Sequence, residues 1–163
     1  MHERLALTED IAAKIGATLV SMEPTAREER IRTALGPFPE VQVAYLFGSQ
    51  ATGKARADSD VDVAVSFAQG VDGARRGELT LDLLAALSKE LGERVDLLDL
   101  GRASSAVGFR VIRDGRRVMS RDEVHRVRLE ASIARRYDDE RPYRELFRRA
   151  AVRAFKAAGT NDG

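Results

Sequence analysis

Hydrophobic positions along the chain change period several times, and each change marks an element. Ile11, Ile15, Leu19 and Met22 recur at helical spacing behind Thr8, a capping residue, with Glu9 and Asp10 suited to a first turn. Pro24 ends that helix, and a shorter one is expected over Ala26 to Leu35, with Ile31 and Leu35 on one face. Gly36-Pro37-Phe38-Pro39 then breaks the chain. From Val41 the period becomes two. Val41, Val43, Tyr45 and Phe47 alternate with Gln42, Ala44 and Leu46, which reads as a mostly buried strand stopped by Gly48-Ser49. A polar loop, Gln50 to Ser59, leads into a second strand, Asp60 to Val65, with valines at every other position.

Gly70 to Gly77 reads as loop, and Leu79, Leu83, Leu84, Leu87 and Leu91 mark an amphipathic helix ended by Gly92. A third strand is expected over Arg94 to Leu100, followed by a helix holding Val107 and Val111. Asp114-Gly115 then turns the chain into a short strand around Val118. From Arg121 the pattern is helical, broken at Pro142, with Leu146, Ala150 and Phe155 as the apolar positions of the last helix. Gly159 to Gly163 is expected to be disordered. Alternating strands and helices with helical ends imply an α/β (α+β) fold built on one small sheet. The expected organisation is a helical extension over 1–35, a core over 36–120, helices over 121–158 packed on the same domain, and a short tail.

Composition narrows the function classes. In 163 residues, 44% are hydrophobic and 33% charged, enough apolar material for a core in a chain expected to be soluble. The absence of Cys excludes disulfide scaffolds, thiol catalysis and Cys-based zinc sites. Apolar runs reach only about five residues, against about 20 for a membrane-spanning helix, so no membrane partner is expected. Residues 1–4, Met-His-Glu-Arg, lead into mixed polar sequence rather than an apolar stretch, so a cytoplasmic location is expected. The net charge of +1 hides an asymmetry: residues 1–109 hold 12 Lys/Arg and 17 Asp/Glu, residues 110–163 hold 15 and 9. An acidic body suits a cation site and a basic tail suits an anionic partner, although solvated Arg-rich helix faces give the same count.

Three features bear chemistry. Strand parity puts Asp60 and Asp62 on one face, and two carboxylates that close repel unless a cation lies between them. Hard oxygen donors at this spacing suit Mg²⁺, which completes its shell with substrate phosphates. Gly48-Ser49 ends the preceding strand, where a glycine admits close backbone approach and free N–H groups bind anions. In the third strand Asp96 and Asp99 fall on opposite faces, so at most one joins the acidic pair. Asp96, inside the strand, is the better candidate, and Asp99, at its end, is the easier to solvate. Taken singly, an Asp-X-Asp is more often a solvated turn and a Gly-Ser means nothing. His2 and His125 read as isolated surface residues, Arg56 as a loop brace and Tyr137 as packing between helices.

The joint arrangement is rarer. Leu46-Phe47-Gly48-Ser49, the ten residues Gln50 to Ser59, then Asp60-Val61-Asp62 resembles the motif of the polymerase-β-type nucleotidyltransferases. It is most similar to the minimal nucleotidyltransferase branch, whose members are often antitoxins paired with HEPN-domain toxins. Arg135-Arg136-Tyr137-Asp138 before Pro142 also resembles that branch, less specifically. The resemblance covers residues 40–120 and leaves residues 1–35 unaccounted for.

It implies a small mixed sheet with flanking helices, with Asp60, Asp62 and Asp96 as metal ligands and catalytic carboxylates. Gly48 and Ser49 would hold the β- and γ-phosphates. It further implies two Mg²⁺ ions, with Mn²⁺ as a substitute, and AMP transfer from ATP to a hydroxyl, foremost a Tyr of a HEPN toxin. Nucleic acid is not expected as a direct partner. The alternatives are a small-molecule or RNA-end acceptor, and an antitoxin that only binds.

Overall fold

The computed structural model describes residues 25–48 and 60–158, with side chains through 153. The helix expected from Thr8, the loop Gln50 to Ser59 with Arg56, Ser49, and the tail from Gly159 lie outside the described residues. The described elements are α1 (Ala26–Leu35), β1 (Val41–Phe47), β2 (Val61–Phe67), α2 (Gly73–Leu91), β3 (Val95–Asp99), α3 (Ser105–Asp114), β4 (Arg116–Ser120), α4 (Glu123–Asp139) and α5 (Arg141–Ala158).

The sheet has four strands in the order β3-β2-β1-β4. β1 is antiparallel to both β2 and β4, whereas β2 and β3 run parallel because the long helix α2 carries the chain back between them. The expected mixed sheet with flanking helices is therefore present. Its parity sorts the side chains into two layers. Val61, Val63, Val65 and Phe67 pack with Ile31 and Leu35 of α1 and with Leu79, Leu83, Leu87 and Leu91 of α2. Val43, Tyr45, Ala64 and Leu100 pack on the other face with Phe109 and Val111 of α3 and Ile133 of α4. Each fully buried Leu or Val contributes about 1.5–3 kcal/mol.

Local chemistry starts the helices. Thr25 and Glu28 form a reciprocal capping box for α1, and Glu28, nearly buried, also takes Arg116 of β4 at 2.7 Å. Asp72 caps α2, which begins at Gly73, within the segment expected to be loop. Gly73 is the first helical residue, where the interior penalty does not apply, and Gly77 inside the helix costs about 1 kcal/mol relative to alanine. The cap and the bonds of Arg75 to Glu40 and Arg76 to Asp99 offset that loss. The left-handed Gly92 (φ 65°) ends α2. β2 runs to Phe67, two residues past the expected end, and Asp60 stands just before it.

His125 is not an isolated surface residue: its Nε2 lies 2.8 Å from the hydroxyl of buried Ser66. Tyr137 does pack between helices, its ring stacked on Phe109 at 4.1 Å. Pro142 falls in the first turn of α5, where its missing N–H breaks no helical bond, and the helices part at Glu140.

One ionic cluster fastens α4 to the sheet. Glu130, buried, accepts two bonds from Arg126 (2.8 and 2.9 Å) and one from the Tyr45 hydroxyl of β1. Burial and the Glu130 carboxylate push the Tyr45 phenol well above its ordinary value. Removing one partner leaves a buried unpaired charge, which costs about 3–5 kcal/mol, whereas removing both does not. Arg126→Leu is therefore expected to lower urea-unfolding stability by about 3 kcal/mol, and Arg126→Leu with Glu130→Leu by clearly less. Equal losses in the single and double variants would show that the pair is not a charge-compensating unit.

Candidate active site

The end of the sheet where β1 finishes and β2 and β3 begin collects the acidic residues. Phe47 is the register partner of Asp62, so Gly48 stands directly beyond it. Asp62 is in turn the register partner of Asp96 in the parallel β2–β3 pair. Parity puts both carboxylates on the α3/α4 side of the sheet, since Ala64 two residues on from Asp62, and Leu98 and Leu100 beyond Asp96, pack in that layer.

Gly48 has a positive φ of 71°, a conformation that favours glycine. A Cβ placed there would meet the Asp62 carboxylate oxygen at 2.0 Å and its Cγ at 2.8 Å. Glycine is thus required twice over, by its backbone and by the carboxylate lying on it.

Burial is the main cause that raises the Asp62 carboxyl above its ordinary range, and the negative charges of Asp96 and Asp60 add to it. Asp60 is 3.5 Å from Arg94, an otherwise exposed guanidinium at the mouth of β3. Among the described residues no cation pairs with Asp62 or Asp96. These three acids therefore share one field, with Asp62 at its centre.

Asp99 resolves the choice between the two β3 acids, for a reason opposite to the expected one. Its side chain is the more buried of the two and is fully used, bonding Arg76 at 2.9 Å and the Gly101 N–H at 2.8 Å. Asp96 is exposed because β3 is an edge strand, so its carboxylate needs no partner inside the protein. Arg94 was not singled out in the sequence. Its signal is the register: Val61 pairs with Val95, so the residues preceding them, Asp60 and Arg94, are neighbours.

The sequence pattern of the family described as polymerase beta, nucleotidyltransferase matches residues 29–124. The chain belongs to that nucleotidyltransferase family.

Within this family, a curated relative from Shewanella oneidensis, the protein adenylyltransferase MntA, is 38% identical over 80 residues. That match covers 49% of this chain and 55% of the relative, so the chain spans about half the length of the curated relative it matches. Among solved structures, one described as a toxin–antitoxin with AMP-PNP is 27% identical, with a TM-score of 0.64 over 77% of this chain and 98% of the other. Another holds the tri-AMPylated HEPN toxin of Shewanella oneidensis in complex with its MNT antitoxin. It is 25% identical, with a TM-score of 0.60 over 77% of this chain and 96% of the other.

Does the nucleotidyltransferase site fit a divalent cation? Among the described residues no group of three or more His, Cys, Asp or Glu is gathered closely enough to hold a metal by itself. Mg²⁺ needs no such cage, because it binds through one or two carboxylates and takes its remaining ligands from water and substrate phosphates. Hard oxygen donors are present, and although Asp60 pairs with Arg94, no described cation answers Asp62 and Asp96, whose repulsion a bound cation relieves. The donor set fits.

Two measurements test this geometry. Gly48→Ala is expected to destabilise the protein strongly, but less in an Asp62→Ala background, where only the backbone strain of about 1–2 kcal/mol remains. Equal losses in both backgrounds would remove the contact from the explanation. The raised Asp62 carboxyl also fixes a sign. Its contribution to apo-protein stability is fully present below the ordinary carboxylate range and is lost as pH rises through the higher folded value. The melting-temperature gain of Asp62→Asn over the unmodified protein should therefore open as pH climbs from about 4. A gap that does not change with pH would contradict the shared field.

Proposed function

We propose that this chain transfers AMP from ATP to the hydroxyl of a tyrosine on a HEPN-domain partner, as the antitoxin of a toxin–antitoxin pair. The observation that carries the reading is the Asp62–Asp96 register pair set against Gly48, in a chain of the nucleotidyltransferase family. It is supported by the relatives: one is named a protein adenylyltransferase, and another forms a complex with a tri-AMPylated HEPN toxin. ATP as donor implies a cytoplasmic reaction.

In this reading Asp60, Asp62 and Asp96 would hold two divalent cations, Mg²⁺ with Mn²⁺ as substitute, which would supply charge neutralisation for the triphosphate and acidify the attacking hydroxyl. Gly48 and Ser49 cradle the β- and γ-phosphates with backbone N–H groups. Asp96, the exposed acid on the edge strand, is open to an incoming acceptor and would take the hydroxyl proton. The acceptor oxygen bonds to the α-phosphorus, the α–β anhydride bond breaks, and pyrophosphate leaves with its electron pair. No covalent enzyme intermediate is needed, and the rate comes from alignment and charge neutralisation.

Incubation with ATP, Mg²⁺ and a purified HEPN-domain toxin should add AMP units to that toxin, read by intact mass. Asp62→Asn is expected to reduce the transfer by at least two orders of magnitude while leaving the protein folded, since it keeps the shape and removes repulsion. A tight complex without added mass makes the chain a binding-only antitoxin. AMP transfer to RNA ends or small molecules, with none to the HEPN protein, moves the acceptor class.

A further inference from the structure

α5 is eighteen residues long, and among the described residues nothing covers its apolar side. Tyr143, Leu146 and Phe147 are 67%, 58% and 71% exposed, and with Ala150 they follow the i, i+3, i+4, i+7 spacing of a single helix face. None of them joins either core layer. Near its start the helix is joined to the body, where Arg144 lies 3.6 Å over the Tyr137 ring. It also lies beyond residue 124, where the family match ends.

Opposite the apolar stripe the helix is basic. Residues 141–158 hold six Lys/Arg and one acid, Glu145, which is already bonded to Arg148 and Arg149. A second copy of α5 laid on the first would bring two such strongly basic rims together, and like charges across an interface oppose association. An acidic rim removes the conflict.

We propose that α5 is a docking helix: its Tyr143–Leu146–Phe147 face seats in an apolar helical groove of the partner protein whose rim is acidic. The proposal rests on the preceding reading that a partner protein carries the acceptor. Three bulky side chains on consecutive turns make the kind of anchor cluster that dominates helix-in-groove binding. The basic rim sets orientation and speeds encounter.

The test uses the full chain with Leu146→Glu and Phe147→Glu together, and a purified HEPN-domain toxin as the partner. Leu81→Glu, an equally exposed apolar residue on α2, serves as the control. The replaced side chains are exposed, so thermal unfolding should not move. Affinity by calorimetry should fall at least tenfold for the α5 variant and stay unchanged for the control. Binding of the unmodified protein should weaken as salt is raised from 50 to about 500 mM. Unchanged affinity and AMP transfer in the α5 variant would overturn the docking role and leave the transfer reading intact. Binding lost in the variant, with no transfer by the unmodified protein, would keep the docking helix and overturn the transfer reading. Two further results would also overturn the docking role. One is a dimer by light scattering that the variant dissolves. The other is co-sedimentation with phosphatidylserine vesicles, lost in the variant, without protein binding.

Discussion

A carboxylate pressed onto a glycine is the constraint on which the acidic end of this molecule depends. Asp62 occupies the space a Cβ at residue 48 would fill, so the chain can leave β1 only through a glycine in the left-handed region. The same contact withdraws Asp62 from water, and the register of β3 adds Asp96 across from it. Nothing cationic among the described residues answers that charge except Arg94, which reaches Asp60 and stays mostly in solvent. The sheet holds this arrangement because its other face is made of valine and leucine packed on α1 and α2. Charge repulsion at the end of β2 is tolerated because hydrophobic burial on that face more than offsets it.

That division was readable in the sequence wherever side-chain period and chemistry agreed. The alternation of Val61, Val63 and Val65 with Asp60 and Asp62 specified a strand, its buried side and its acidic side together. α1 was legible because Ile31 and Leu35 share a face between Pro24 and the Gly36-Pro37 break, and the structure adds the Thr25–Glu28 capping box at its start. Longer-range facts were not legible. The start of α2 was hidden because Gly73 and Gly77 look like loop, and what overrides them are ion pairs to Glu40 and Asp99, distant in sequence. Parity separates Asp96 from Asp99 and the register sets Asp96 across from Asp62, but the burial of the two is the reverse of what their places in the strand suggest. Parity is a local property, whereas burial depends on β3 being an edge strand and on Arg76 arriving from α2. The contact between Gly48 and Asp62 needed the β1–β2 register, which a single sequence does not carry.

The opposite layer serves a different purpose. α3 and α4 cover the face on which the acids open, and α4 is held there by polar as well as apolar contacts. Glu130 and Arg126 lie inside that layer with the Tyr45 hydroxyl, and His125 meets Ser66. Such groups bind only when each partner is in place, so they fix α4 in one position more sharply than oily packing would. Position matters here because α4 leads directly into α5.

In the proposed reading, a small nucleotide-transfer core meets a geometric difficulty that a docking helix at α5 would address. Alignment within a few tenths of an ångström is what makes phosphoryl chemistry fast, and it requires the acceptor to be held as firmly as the donor. The described residues offer a sheet edge, an exposed Asp96 and no wall on the acceptor's side. A second domain would supply that wall within one chain. A docking helix supplies it by making acceptor delivery intramolecular once the complex has formed, with an effective concentration in the millimolar range instead of that of a dilute protein. The rigid attachment of α4 to β1 then acquires a reason: a docking helix helps alignment only if the body it extends from does not shift. In that reading the buried Glu130–Arg126–Tyr45 cluster, which ties α4 to β1, and the acidic site would serve one requirement, that a hydroxyl and a phosphate donor meet in a fixed frame.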